Sequence, residues 1–291
     1  MPDTRLTLTE YALVDTGLMG LPLFRPLPRR GRTAARNRHL DLTTTHGGAV
    51  LRVGGPVLGA DDLSVLLAVC ALAGMDGKRL DAAHSEAHRI AIVDGLETEG
   101  GVVDDEHVRL RTTVYAVVRE AGLAHGGDAY RRVAESLWRL RGIHYAELGR
   151  EGGNARRMKS GARQNLIGFD ADEVGGELRV VLNARFATAV LGGAQHSRIN
   201  LLEHRQLTEA GRLLHLTLSV QVRPGGYWPV ALDGLADRLY GEPPTSDRQR
   251  RDRRVILRAA LAEVAGLPGW SADENLRSIV TVRRAPRPRR R

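Results

Sequence analysis

The sequence has one cysteine, two lysines and no apolar run near the roughly 18 residues that span a bilayer. The lone Cys70 sits in an apolar stretch, LLAVCALAG, so a disulfide framework is excluded, the thiol reads as core, and a reducing, cytoplasmic home is expected. Near the amino terminus Asp3, Arg5 and Glu10 break the basic-then-apolar order of a signal peptide, which argues for a soluble, unexported chain without membrane contact. Nucleotide-driven machinery lacks its signature as well: AGMDGKRL has a Gly-Lys pair but neither the glycine spacing nor the hydroxyl residue of a phosphate-binding loop. There is no H-x-H pair to hold a metal beside a nucleophilic tyrosine, as a rolling-circle nickase needs, no G-x-S-x-G elbow and no Cys/His zinc spacing. His84 and His88 lie four apart in HSEAH, with no third ligand signalled nearby. The expectation is a protein without cofactor, metal or catalytic residues: a binder, not an enzyme.

What is present is positive charge. Of 43 basic residues all but Lys78 and Lys159 are arginine, and the formal net charge is +9. A GC-rich coding sequence also favours arginine, so its identity over lysine says little, but the net charge and its clustering point to a polyanionic partner. At 291 residues and 42% hydrophobic, the chain is long enough for two domains with cores of their own.

Residues 1–38 contain LPLFRPLPRRGRTAARNR, proline- and arginine-rich and without period, and read as an irregular basic arm. HLDLTTTHGGAVLRVGG alternates around His46-Gly47-Gly48 as a hairpin does. LGADDLSVLLAVCALAG, with Asp61 or Asp62 as a cap and Leu63, Leu66, Leu67, Cys70 and Ala71 at helical spacing, reads as a core helix. In RTTVYAVVREAGLAHGGDAYRRVAESLWRLRG a short helix (about 112–121) meets a glycine-rich turn and a second helix (about 128–141), the order of a helix-turn-helix. A basic loop, GREGGNARRMKSGAR, and a strand pair in QNLIGFDADEVGGELRVVLN follow. The second half repeats the order: a long helix in LLEHRQLTEAGRLLHLTLSVQV, the strand YWPVAL, the helix LDGLADRLYG, the turn EPPTS, a second helix and a closing hairpin in WSADENLRSIVTVRR. Both second helices carry the string Arg-Arg-Val, at 131–133 and 253–255. The fold class expected is α+β, two winged-helix domains in tandem (39–183 and 184–283), followed by a basic disordered tail (284–291).

The second helix of the second half, DRQRRDRRVILRAALAEV, concentrates the chemistry. Ile256, Leu257, Ala260, Leu261 and Val264 fall within an arc of about 140° and read as its packed stripe. Arg248, Arg251, Arg254 and Arg258 project opposite with Val255, while Arg250 and Arg253 point towards the apolar side one turn earlier. Each cation at a helix amino terminus opposes the macrodipole by roughly 0.3–1 kcal/mol, so stability alone does not place five arginines there. The amino-terminal part of such a helix is what enters a major groove, where arginine pairs with guanine and reaches phosphates. The expected DNA contacts are therefore Arg248, Arg250, Arg251, Arg253, Arg254, Val255 and Arg258 in the second half, with Arg131 and Arg132, and Arg156, Arg157, Lys159 and Arg163 as a basic wing, in the first.

Several of these stretches, LGADDLSVLLAVCALAG, VVLNARFATAVLGGAQHSRINLLEHRQL, AGRLLHLTLSVQVRPG and RQRRDRRVILRAALAEV, resemble in order the RepC replication initiators of IncQ-type plasmids, over about residues 17–282. GGAQHSRI with the downstream GRLLH is the most specific part. The resemblance implies two winged-helix domains that bind direct repeats (iterons) in double-stranded origin DNA, open an adjacent AT-rich segment, and admit a plasmid-encoded helicase and primase. Further copies of the protein are expected on adjacent repeats. It also implies that Arg248–Arg258 read the repeat and that Arg131 and Arg132 add a second footprint. A winged-helix repressor of a plasmid operon uses the same chemistry on inverted repeats. An enzyme that cuts or remodels DNA is the third class, against which the missing motifs speak.

Overall fold

The computed structural model describes residues 8–28, 38–46, 49–74, 108–124, 126–150, 164–171, 177–193 and 196–286. The chain begins with β1 (Tyr11–Asp15) and the single turn α1 (Thr16–Met19), whose amino end Asp15 caps by accepting from Leu18 N at 2.7 Å. A hairpin follows, β2 (His39–His46) and β3 (Ala49–Pro56), and then α2 (Ala60–Ala73). Leucine, valine and alanine occupy every side of α2, so it is buried all round and forms the centre of the core. Burying Leu63, Leu66 and Leu67 completely stabilises the fold by about 1.5–3 kcal/mol each. Cys70 lies among them, as expected, and burial pushes its thiol pKa far up, which leaves it inert.

The next elements are β4 (Val108–Thr113), α3 (Val114–Glu120), α4 (Gly127–Arg141), β5 (His144–Arg150), β6 (Gln164–Asn165), β7 (Ile167–Ala171) and β8 (Glu177–Leu182). Hairpin β7–β8 closes on β4 as an antiparallel sheet in the order β4-β8-β7, while β2, β3, β5 and β6 form a separate four-stranded sheet. After α5 (Ala184–Val190), β9 (His196–Asn200) and α6 (Leu201–Arg205) the pattern recurs: α7 (Glu209–Gln221), β10 (Tyr227–Ala231), α8 (Leu232–Tyr240), α9 (Asp247–Ala265) and the hairpin β11 (Trp270–Glu274) and β12 (Ile279–Arg284). Its sheet order, β10-β12-β11, repeats that of the first unit. The architecture is mixed α+β, two units of helix, strand, helix, helix and hairpin in tandem.

Three expectations need correction. Residues 8–28 are not an arm: β1 pairs antiparallel with β9, from Tyr11 opposite Asn200 to Asp15 opposite His196, and Ala12, Val14, Leu18, Leu23 and Phe24 are core. Proline and arginine hid a short alternating strand, YALVD, and the strand's partner lies far away in sequence. The α2 cap is Gly59 rather than an aspartate. Asp62 reaches back to accept from Gly59 N at 2.7 Å, and both aspartates sit in the first turn, where the helix dipole favours them. The long helix expected after residue 200 is two, because Thr208 breaks it and caps α7 through Gly211 N. Of the disordered tail expected at 284–291, Arg284 instead ends strand β12, while residues 287–291 and the histidines 84 and 88 lie outside the described residues, and within these no helix is long and apolar enough to cross a membrane.

The units are joined by three consecutive side chains of α6. Glu203 accepts from His215 Nε2 and from Trp270 Nε1, both at 3.0 Å, tying α6 to α7 and β11. His204 bonds Ser64 Oγ of α2 at 3.1 Å; since that hydroxyl donates to Ala60 O, His204 Nε2 carries the proton. Arg205 donates to the carbonyls of Thr9 (3.1 Å) and Glu120 (2.8 and 3.0 Å) and pairs with the Glu120 carboxylate, which also accepts from Thr9 N at 3.0 Å. This is the physical content of the LLEHR…GRLLH strings: they lock one unit onto the other.

Candidate nucleic-acid interface

The turn between α8 and α9 sets the direction of α9. Gly241 ends α8 at φ 70°, in the left-handed region that suits glycine, and Ser246 caps α9 by accepting from Gln249 N at 3.2 Å. Arg253 holds the turn from beneath: its Nη1 donates to Glu242 O at 2.7 Å and its guanidinium lies 4.3 Å over the Tyr240 ring. At 4% exposure it is part of the core, not a DNA contact, because its place on the helix is the first of the inward set Arg253, Leu257, Ala260, Leu261 and Val264. Ile256, expected in that stripe, is instead exposed and lines a groove of about 1050 Å³ with Leu27 and Val57.

The outward face carries the rest. Arg248 and Arg251 are exposed and have no ion-pair partner among the described residues, and Val255 is 67% exposed beside them. Arg250 pairs with Asp247 at 3.2 Å. Arg254 and Arg258 are held by Asp233 (2.6 and 2.7 Å) and Glu274 (2.7 and 2.8 Å), and each hydrogen bond lowers its carboxylate's pKa and raises its arginine's. Beyond α9 the hairpin β11–β12 puts Leu276, fully exposed, and Arg277 at its tip, a pair that sequence reasoning missed. The signal was there, an arginine between the turn residues Asn275 and Ser278, but it is a single charge beside a helix holding many.

In the first unit the equivalent surface has another chemistry. Arg132 turns inward to Asp61 (2.8 and 3.2 Å), as Arg139 does to Asp62 (2.9 Å), so neither faces outward freely. Arg131 is exposed but paired with Asp128 and with Glu135. The outward stripe of α4 is Tyr130, Arg131, Ala134, Trp138 and Arg141, with Trp138 61% exposed, edge-on to Phe169 at 5.0 Å and overlain by Arg141 at 5.3 Å. The buried sets, 129, 133, 136, 137 and 140 in α4 and 253, 257, 260, 261 and 264 in α9, superpose two residues out of phase with the shared Arg-Arg-Val string. Val133 is buried where Val255 is exposed, so that string is a coincidence and the repeated element order is the true symmetry. Arg156, Arg157, Lys159 and Arg163 lie outside the described residues.

Two adjoining helices with an arginine face, and a hairpin tip beside them, occur in many DNA-binding proteins, so geometry alone does not name the family. The family model for replication protein C (RepC) matches residues 14–286, nearly the whole chain. The chain belongs to the RepC family. It is thus a replication protein, as the sequence resemblance implied. No curated protein matches this chain by sequence. Among solved structures it is similar to a crystal structure of domains 2 and 3 of RctB, at 13% identity with a TM-score of 0.53, covering 94% of this chain and 98% of that one. A second crystal structure of RctB domains 2–3 has 12% identity and a TM-score of 0.47, covering 90% and 95%. At such identity the first likeness speaks for the fold alone, over 94% of this chain and 98% of that one.

Proposed function

We propose that this RepC protein is a replication initiator whose two units are winged helices and which binds direct repeats in a plasmid origin as duplex DNA. The outward arginine face of α9, held by a turn that buries Arg253, is the observation that carries the reading. In it α9 enters the major groove, Arg248 and Arg251 reach phosphates, and Arg277 at the hairpin tip follows the neighbouring minor groove. The rigid α6 junction makes the two unlike units one body, and an asymmetric body suits direct repeats rather than palindromes. Copies on tandem repeats then strain the DNA, and the strain is relieved at flexible AT-rich steps, where a plasmid-encoded helicase and primase load. The protein acts by binding and not by catalysis.

The test is a salt series of binding to an origin fragment bearing tandem repeats, beside a shuffled fragment of equal length. Binding to the repeats is expected to persist at salt that removes the shuffled DNA, with log affinity falling by about 0.9 per phosphate contacted for each unit of log salt. Equal affinities lost together refute repeat recognition. Permanganate footprinting of the saturated origin tests opening, and nicking and ATPase assays test the absence of catalysis.

A further inference from the structure

Arg254 and Arg258 stand one turn apart on the outward face of α9 and are gripped in the same way. Arg254 donates Nε to Asp233 Oδ1 at 2.7 Å and Nη2 to Oδ2 at 2.6 Å. Arg258 donates Nε to Glu274 Oε2 at 2.8 Å and Nη2 to Oε1 at 2.7 Å. The carboxylates come from different elements: Asp233 from the first turn of α8, Glu274 from the end of β11. Neither pairing is therefore the local i,i+4 contact that any charged helix makes. Ser278, in the turn that follows Glu274, takes φ 55°, the one non-glycine residue with positive φ among the described residues.

A guanidinium has two useful edges. A carboxylate on the side edge, Nε with Nη2, leaves the end edge, Nη1 with Nη2, as a fork of parallel donors, and that fork matches O6 and N7 of guanine. Among the described residues nothing takes a hydrogen bond from Nη1 of either arginine. Four residues of helix advance by about 6 Å, against about 3.4 Å per base pair, so two forks so placed meet guanines one or two base pairs apart. We infer that Asp233 and Glu274 are specificity-determining positioning residues, which hold Arg254 and Arg258 as two preset guanine-reading forks. The first unit lacks this device: in phase with the buried residues, Tyr130 and Ala134 of α4 stand where Arg254 and Arg258 stand in α9. Among the described residues the paired forks belong to α9 and not to α4.

This inference rests on α9 being the groove-facing helix, and the experiment separates the two. Wild-type protein, Asp233→Asn and Glu274→Gln are titrated against the repeat fragment, its shuffled counterpart, and repeat fragments in which each guanine in turn is replaced by 7-deazaguanine, which lacks the N7 acceptor. Wild type is expected to lose about tenfold at two guanines. Each variant is expected to lose about tenfold on the intact repeat, to become insensitive to one of the two 7-deazaguanine positions, and to hold shuffled DNA within twofold of wild type, which also reports that it is folded. Tighter binding of both variants to repeat and shuffled DNA alike overturns the inference, since the carboxylates would then only neutralise charge. An unchanged 7-deazaguanine profile overturns it too. Wild-type protein that does not prefer the repeat refutes the parent reading first.

Discussion

Arg205→Met should split the energetic bond between the two units. The substitution leaves the Glu120 carboxylate, 1% exposed, inside the protein with, among the described residues, only the Thr9 amide and hydroxyl as donors. It also strips the carbonyls of Thr9 and Glu120 of their guanidinium hydrogen bonds. Breaking a buried ion pair from one side costs about 3–5 kcal/mol, and the remaining Thr9 donors keep the cost near the lower end, about 3 kcal/mol. Against a total stability on the order of 5–15 kcal/mol that is a large part. Adding Glu120→Gln keeps an acceptor for Thr9 and removes the orphan charge, so the double variant should recover about half of the loss. The assay is urea unfolding of wild type, both single variants and the double, followed by far-ultraviolet circular dichroism and tryptophan fluorescence, with a double-mutant cycle on the extrapolated free energies. A loss below about 1 kcal/mol for Arg205→Met, or strictly additive losses in the double variant, would refute the argument that this pair locks the units.

Other outcomes follow from the same geometry. Arg248→Ala and Arg251→Ala should each reduce the salt slope of DNA binding by about 0.9 and weaken repeat and shuffled DNA equally, which a salt titration of each variant reads. Arg253→Ala should lower thermal stability by about 2–3 kcal/mol through loss of the Glu242 hydrogen bond and the Tyr240 stack, so its DNA-binding defect should come with an earlier melting transition. Burial lowers the pKa of His204 and of His215 below the usual 6.5, so between that value and the folded pKa the unfolded chain binds more protons than the native one. Stability should therefore be full above pH 6.5 and decline on acidification by up to about 1.4 kcal/mol per pH unit for each histidine; His204→Gln, which keeps a donor for Ser64, should flatten that slope in melting curves.

The sequence alone determined much of the framework. Hydrophobic period, glycine turns and capping residues are local, and they placed α2, the pairs α3–α4 and α8–α9, and the hairpins β2–β3, β7–β8 and β11–β12 close to where they lie, as well as the repeated order of the two units. Clustered charge marked α9 as the candidate DNA-binding face. Only the tertiary structure decided which arginines that face contains. Whether Arg253 points at Tyr240 or at solvent depends on helix phase and on a ring at the end of the preceding helix. Whether Arg132, Arg254 and Arg258 are free depends on Asp61, Asp233 and Glu274, carboxylates brought together by packing and invisible to spacing. The N-terminal strand was hidden for the same reason: its hydrogen bonds go to β9, and a strand's pairing partner is a property of the folded chain and not of the segment.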